Sequence, residues 1–176
     1  MREQGWKRFG WYVWDKMTAT FRANDGRLQI GHEWVFHFNR KPVHCIEWVP
    51  CKHAGEERKG RGQRVASGVV EELNTPGVIK NHKYPDSVIH VQRENNNSDP
   101  SVRSHPARFP VALPEFFIQT WPGEVVYEPY LGSGSTLIAA HRLGRTCYGC
   151  ELEPKYADVV LRRSEAEGLT VEKVGG

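Results

Sequence analysis

The chain has 176 residues, of which 39% are hydrophobic, 11% aromatic and 26% charged. This length suffices for one domain of ordinary size, or for a domain with an inserted module. The aromatic content excludes a wholly disordered chain, and no apolar run approaches the ~18 residues that a membrane-spanning helix requires. Residues 1–20 lack the continuous apolar segment of a secretory signal, so we expect a soluble, cytoplasmic protein with no membrane partner.

Charge is unevenly distributed along the chain. Residues 1–41 carry eight Lys and Arg against four Asp and Glu, residues 42–104 carry nine against eight, and residues 105–176 carry seven against nine. The basic N-terminal two-thirds is compatible with a polyanionic partner. The overall charge of +3 does not by itself indicate nucleic-acid binding.

Two aromatic-rich stretches near the N-terminus alternate large and polar side chains, WYVW (11–14) and WVFHF (34–38). This alternation predicts two β-strands joined by a loop around NDG (24–26). We expect their aromatic side chains to serve in the core or on a sheet face rather than to stack on bases.

Residues 42–104 show no sustained periodicity. They include a basic loop, a short predicted helix at 68–73, a predicted strand at 87–91 and the polar run 94–99. The loop is the most basic part of this segment and contains Arg58, Lys59, Arg61 and Arg64.

The four cysteines are predicted to be reduced thiols without a metal. Cys147 and Cys150 have the spacing of metal ligands, but they lie in a predicted strand, where residues three apart point to opposite faces. A looser cluster of potential ligands comprises His44, Cys45, Cys51 and His53, and reduced thiols are the more ordinary interpretation of it.

From residue 105 the pattern becomes regular. It predicts a helix at 113–120 that begins near Pro114, a short buried strand at 125–127, and a glycine turn at 128–136. A helix at 137–143, ended by Gly144, and a strand at 146–150 follow. This order of elements predicts an α/β fold.

The glycine turn lies between two predicted strands that both end in a carboxylate, Glu128 and Glu151. Glycines let the backbone approach a ligand closely, and an acid about 20 residues further on can accept hydrogen bonds from ribose hydroxyls. Glu151 lies 19 residues after Gly132. The turn lacks the third glycine of a dinucleotide-binding turn and the Gly-Lys of a phosphate-binding loop. The negative charge of Glu128 instead favours a ligand that carries a cationic amino group and a sulfonium. The alternative is that the turn is structural and both acids are ordinary strand-end carboxylates.

Several motifs, in one order, resemble those of the S-adenosylmethionine-dependent DNA amino-methyltransferases with a permuted motif order. VYEPYLGSGST (126–136) resembles the cofactor-binding motif, HPARFPVALPEFFI (105–118) the motif before it, and TCYGCELEPKYADVVLRR (146–163) the ribose-binding strand. WYVWDK (11–16) and HEWVFHFNR (32–40) resemble paired strands of the catalytic half, and YPDSVIHV (84–91) the end of the target-recognition segment. The resemblance covers roughly residues 4–163.

The resemblance implies an α/β, Rossmann-like methyltransferase fold with an incomplete sheet and an irregular target-recognition insertion. It divides the chain into part of the catalytic half (1–41), the target-recognition region (42–104) and the cofactor-binding half (105–176). The implied reaction is methyl transfer from S-adenosylmethionine to the exocyclic amino group of adenine (N6) or cytosine (N4) in double-stranded DNA. The implied cofactor contacts are His105, Pro106, Glu128, Pro129, Tyr130, Gly132, Ser133, Gly134 and Glu151.

The same resemblance places the basic loop in the target-recognition region. Its side chains, Arg58, Lys59, Arg61 and Arg64, are therefore predicted to contact DNA phosphates, and a solvated loop is the alternative.

Three departures from the family pattern affect the expected activity. Phe109 stands where the family usually has Lys, Tyr130 replaces a Phe, and the tetrapeptide that ends in Pro-Pro-aromatic is absent. None of the eleven prolines follows another proline, so no catalytic residue can be assigned. We hypothesise that these residues are the C-terminal part of a methyltransferase whose N-terminal part, which carries the tetrapeptide, is missing or separately encoded. The alternatives are a non-catalytic module that binds S-adenosylmethionine or DNA, and a methyltransferase for RNA or small molecules.

Overall fold

The computed structural model describes residues 2–17, 30–57, 61–64, 66–73, 77–93 and 108–174, the strands at 61–64 and 70–73 by their backbone alone. The chain divides into two compact units, a larger one formed by Met1–Cys45 and Asp86–Gly176 and a smaller one formed by Ile46–Pro85. None of the helices in the described ranges has the length and hydrophobicity that a membrane crossing requires.

After a short 3-10 helix at Arg2–Gln4, the described elements follow in chain order. The strands are β1 (Lys7–Asp15), β2 (His32–Asn39), β3 (Val49–Pro50), β4 (Arg61–Arg64), β5 (Val70–Leu73), β6 (His82–Lys83), β7 (Val88–His90), β8 (Val125–Glu128) and β9 (Thr146–Gly149). The helices are α1 (Ala112–Thr120), α2 (Ser135–Arg142) and α3 (Pro154–Ala166).

A three-stranded sheet in the larger unit has the order β2-β1-β7. β1 pairs antiparallel with β2, with an irregularity between Arg8 and Gly10, and parallel with β7. The two predicted aromatic strands and the strand predicted at 87–91 are thus confirmed. The loop predicted around 24–26 lies outside the described residues.

One face of this sheet packs against α1. Trp14 and Ile89 are buried there with Leu113, and Tyr12 and Phe117 pack around them. The indole Nε1 of Trp14 donates a 2.7 Å hydrogen bond to the carbonyl of Val91, which satisfies the one polar group of that buried ring. Trp14 is therefore a core residue, as the sequence predicted.

The opposite face of the same sheet is exposed and aromatic. Trp11, Trp34 and Phe36, which we call the aromatic face, are each more than half exposed. Their rings lie close together, with centroids 5.8 Å apart for Trp11 and Trp34 and 6.4 Å apart for Trp11 and Phe36. These side chains lie on a sheet face, as predicted. They are exposed to solvent, and no helix in the described residues packs on them.

The β8-α2-β9 segment forms a second small sheet with its helix. β8 and β9 pair in parallel, from Val125 opposite Thr146 to Glu128 opposite Gly149. Ile138 and Ala139 of α2 are buried in a cluster that also receives Val126 and Cys147 from the two strands. The predicted β-α-β unit is confirmed, with α2 beginning at Ser135 rather than residue 137 and β9 ending at Gly149. The helix predicted at 113–120 is α1.

The smaller unit contains two short antiparallel pairs, β3 with β6 and β4 with β5. Two predictions were wrong here. Residues 68–73 were expected to be helical, but Val70–Leu73 forms β5, because four residues are too few to nucleate a helix and cross-strand pairing with β4 satisfies their backbone. Arg61 and Arg64 were placed in a loop, but they begin and end β4.

Candidate functional site

The connection from β8 to α2 turns at two glycines with left-handed backbone conformations. Gly132 has φ of 56° and Gly134 has φ of 84°, a region that other residues rarely occupy. A Cβ on Gly134 would also lie 3.2 Å from Cγ2 of Val160 in α3. The turn therefore depends on glycine for its conformation and, at Gly134, for its packing.

Glu151 holds this turn from the adjacent strand end. Its Oε2 accepts a 2.7 Å hydrogen bond from the backbone N–H of Gly132, and its Oε1 accepts one of 2.9 Å from the N–H of Glu153. The Leu131 N–H donates to the carbonyl of Cys150 at 2.8 Å, so the turn and the end of β9 are joined twice. Because each carboxylate oxygen has two acceptor positions, Glu151 keeps the capacity to accept further hydrogen bonds.

Glu128 ends β8 and connects the turn to α2. Its Oε1 accepts a hydrogen bond from the N–H of Tyr130 at 3.1 Å, and its Oε2 accepts one from the hydroxyl of Thr136 at 3.0 Å. Both oxygens thus have a role within the turn itself. Pro129 lies between these contacts and is exposed.

The start of α2 is buried and held by neighbouring segments. Ser133, Ser135 and Thr136 are each at most 8% exposed. The guanidinium of Arg163 in α3 donates to the carbonyl and the hydroxyl of Ser133, and the hydroxyl of Ser135 donates to the carbonyl of Phe109 at 2.9 Å. The turn is therefore fixed from both sides before any ligand binds.

A small open pocket lies against this turn. Its described lining comprises Arg108, Phe109, Tyr130, Leu131, Gly132, Ser133 and Ser135. Three of the predicted cofactor contacts, Tyr130, Gly132 and Ser133, line it directly. Glu128, Pro129 and Gly134 belong to the same turn and Glu151 binds it from the end of β9, but none of the four is part of that lining.

The predicted cofactor contacts did not include four residues of this lining: Arg108, Phe109, Leu131 and Ser135. Arg108 stands beside Phe109, whose departure from the family pattern had drawn attention to that segment. The serine follows Gly134 directly, and its bond to the Phe109 carbonyl is a tertiary contact that no spacing predicts.

Four predicted site residues lie outside the described residues: His105, Pro106, Arg58 and Lys59. For Arg61 and Arg64 only the backbone is described, as part of β4. The predicted phosphate contacts of the basic loop are therefore still predictions.

The thiol of Cys147, in β9, is protonated at neutral pH. Burial, together with the negative charge of Glu128, raises the pKa of Cys147 to about 11. Within the described ranges, no three His, Cys, Asp or Glu side chains are grouped so that they could hold a metal ion, and all four cysteines are free thiols.

Comparison with known proteins identifies the family. The sequence profile of a DNA methylase family, the N6 and N4 methyltransferases, matches residues 1–162. The Type II methyltransferase M.Cfr9I of Citrobacter freundii is 24% identical over 176 residues, which are 99% of this chain and 50% of that protein. The chain spans about half the length of this curated relative.

Solved structures of DNA methyltransferases share the fold. The crystal structure of an M1.HpyAVI–SAM complex superposes with a TM-score of 0.62 at 21% identity, covering 92% of this chain and 64% of that one. The PvuII DNA methyltransferase, described as cytosine-N4-specific, superposes with a TM-score of 0.55 at 18% identity, covering 87% and 49%.

The chain therefore belongs to the DNA methylase family of S-adenosylmethionine-dependent amino-methyltransferases. The family resemblance and the α/β, Rossmann-like methyltransferase fold predicted from the sequence are both confirmed.

Proposed function

We propose that this chain is the cofactor-binding and target-recognition part of a DNA amino-methyltransferase. The observation that carries the proposal is the 2.7 Å hydrogen bond between the Gly132 N–H and Glu151, which fixes a carboxylate beside a glycine turn. A carboxylate in that position is the feature by which this type of β-α-β unit binds a ribose.

The residues at the turn fit S-adenosylmethionine. The backbone of Gly132 is open to a ligand at the pocket, and Glu151 has acceptor capacity left for ribose hydroxyls. Tyr130 is 86% exposed beside the pocket, where its ring offers an apolar surface to an adenine or a methionine chain. Bound here, S-adenosylmethionine supplies the methyl group, and this chain's residues hold and orient it.

Glu128 has a positioning role in this proposal. Its contacts to Tyr130 and Thr136 keep the turn against the start of α2, and its negative charge favours a cationic ligand nearby. His105 and Pro106 are proposed as further contacts on the resemblance alone.

The proposed substrate is the exocyclic amino group of cytosine or adenine in double-stranded DNA. The likeness to a structure described as cytosine-N4-specific makes cytosine N4 the first target to test. We assign target recognition to residues 42–104, with Arg58, Lys59, Arg61 and Arg64 neutralising phosphates, because a basic segment of that kind provides sequence-independent affinity for DNA.

The family resemblance assigns catalysis to a tetrapeptide that ends in Pro-Pro-aromatic, and these residues contain no Pro-Pro pair. We propose that the tetrapeptide comes from further methyltransferase polypeptide, in the same protein or separately encoded, and that this polypeptide packs on the aromatic face. Three aromatic side chains that are more than half exposed on one sheet face, in a chain half as long as its relative, support this assignment.

Calorimetry with S-adenosylmethionine and a tritium-transfer assay on duplex DNA test the proposal. We expect the chain to bind the cofactor in the micromolar range and to transfer methyl groups only together with the tetrapeptide-bearing polypeptide. Failure to bind S-adenosylmethionine contradicts the cofactor site, and turnover by these residues alone contradicts the need for the second polypeptide.

Two matched measurements separate the alternatives. Titration with duplex DNA and with RNA of the same sequence, at one stated salt concentration, distinguishes a DNA enzyme from an RNA enzyme. Cofactor binding without any turnover in the presence of the tetrapeptide-bearing polypeptide identifies a non-catalytic module instead.

A further inference from the structure

Arg108 is part of the lining of the candidate cofactor pocket. It is half-buried and lines the pocket together with Gly132 and Ser133 of the turn. The next residue, Phe109, has its carbonyl held by the Ser135 hydroxyl at 2.9 Å, and Pro110 and Val111 after it are buried. Because the chain is anchored directly after Arg108, the backbone of this residue has a defined place relative to the start of α2.

The charges around the turn make this arginine exceptional. Arg108 is the one charged residue in the described lining of the pocket, and the described part of the chain provides it with no ion-pair partner. The other charged groups that contact the turn in the described residues are the carboxylates of Glu128 and Glu151 and the guanidinium of Arg163, which is engaged with Ser133. A half-buried guanidinium without an ion-pair partner among the described residues is suited to bind an anion.

We propose that Arg108 binds the carboxylate of the methionine moiety of S-adenosylmethionine. The inference rests on the proposed cofactor site. That ligand carries one carboxylate, which Glu128 and Glu151 repel, and the planar guanidinium can pair with it through two parallel N–H···O bonds. Phe109 beside it carries no charge, so Arg108 supplies the positive charge in the described lining of the pocket.

The test compares two ligands that differ only in the carboxylate. S-adenosylmethionine and decarboxylated S-adenosylmethionine are titrated into the wild-type chain and into Arg108→Gln by calorimetry. We expect Arg108→Gln to raise the Kd for S-adenosylmethionine about tenfold, the effect of one charge-assisted bidentate contact, and to leave the Kd for the decarboxylated ligand unchanged. Arg108→Lys keeps the positive charge but not the pair of parallel N–H donors, so it should lose less affinity for S-adenosylmethionine than Arg108→Gln.

Lys173→Gln is the matched control, because it removes one positive charge from an exposed position that is not part of the pocket lining. It should change neither Kd, and thermal unfolding followed by circular dichroism shows that each variant folds. An equal loss of affinity for both ligands in Arg108→Gln, or no loss for either, overturns the assignment of Arg108. If the wild-type chain binds neither ligand, the proposed cofactor site itself fails, and the role of Arg108 fails with it.

Discussion

Glu151 accepts a 2.7 Å hydrogen bond from the backbone N–H of Gly132, 19 positions earlier in the chain. The bond joins the end of β9 to the glycine turn that follows β8, its parallel neighbour. The carboxylate is thereby fixed in the ligand-free chain, so that little conformational entropy need be lost when a ligand binds.

Replacement of Glu151 by Gln should weaken cofactor binding. The amide keeps the size of the side chain but loses the charge and one of its acceptor oxygens, so hydrogen bonds from ribose hydroxyls become weaker. We expect the Kd for S-adenosylmethionine to rise about tenfold or more in calorimetry, the cost of a charge-assisted bond. Glu153→Gln, an exposed neighbour, is the control, and an equal effect of the two variants would contradict a specific role for Glu151.

Gly134→Ala should destabilise the turn. The backbone φ of 84° disfavours any residue with a Cβ, and that Cβ would lie 3.2 Å from Val160. Together the two effects should cost about 2–4 kcal/mol in the free energy of unfolding, measured in urea.

Gly144→Ala provides the comparison for Gly134→Ala. Gly144 has φ of 67°, but a Cβ there would meet open space, so only the backbone cost of about 1 kcal/mol applies. The double variant Gly134→Ala, Val160→Ala should lack the steric part of the Gly134 effect. Equal losses in Gly134→Ala and Gly144→Ala would show that Val160 does not restrict the turn.

Cys147 should be the slowest of the four cysteines to react with iodoacetamide at pH 8. Its pKa of about 11, raised by burial and by the charge of Glu128, leaves almost no thiolate at that pH, whereas Cys150 is exposed. Peptide mass spectrometry of timed samples measures each rate, and the rate at Cys147 should increase up to about pH 11. In Glu128→Gln the rate at pH 9 should rise, since one cause of the raised pKa is removed.

The ion pair between Arg142 and Glu167 should stabilise the fold at neutral pH and lose this effect in acid. Its guanidinium donates two hydrogen bonds to Glu167, at 2.7 and 3.1 Å, and these bonds lower the pKa of that carboxyl below its usual 4.5. A lowered folded-state pKa stabilises the fold above the unfolded value, and this stability is lost as the pH falls from about 4.5 through the folded-state value.

Arg142→Gln should therefore lower the free energy of unfolding at pH 7 by about 0.5 kcal/mol, a small value because both side chains are partly exposed. The difference from wild type should shrink below pH 4. Urea unfolding at pH 7 and pH 3 measures it, and a difference that is the same at both values would contradict the ion-pair explanation.

Local sequence pattern predicted the elements that are regular and self-contained. The alternation in β1 and β2, and the strand-turn-helix-strand order around Gly132 and Gly134, specify their own structure. The sequence pattern gave a wrong prediction in the smaller unit, where β5 forms because it pairs with β4. Four residues are too few to show a hydrophobic periodicity that distinguishes a strand from a helix.

The same distinction applies to the candidate site. Glu128, Gly132 and Glu151 stood out because spacing along the chain reflects the geometry of a β-α-β unit. The contacts that complete the site, from Ser135 to Phe109 and from Arg163 to Ser133, join segments 26 and 30 residues apart. They depend on how the helices pack, and no periodicity in the sequence reports that.

The pair of indole rings on the aromatic face has an optical consequence. Trp11 and Trp34 lie 5.8 Å apart between centroids and are both in contact with water, whereas Trp14 is enclosed. Two indoles at that separation couple their electronic transitions, and their emission responds to the polarity around them. A polypeptide that packs on these rings should shift their fluorescence emission to shorter wavelength. Tryptophan fluorescence therefore reports assembly without an added label.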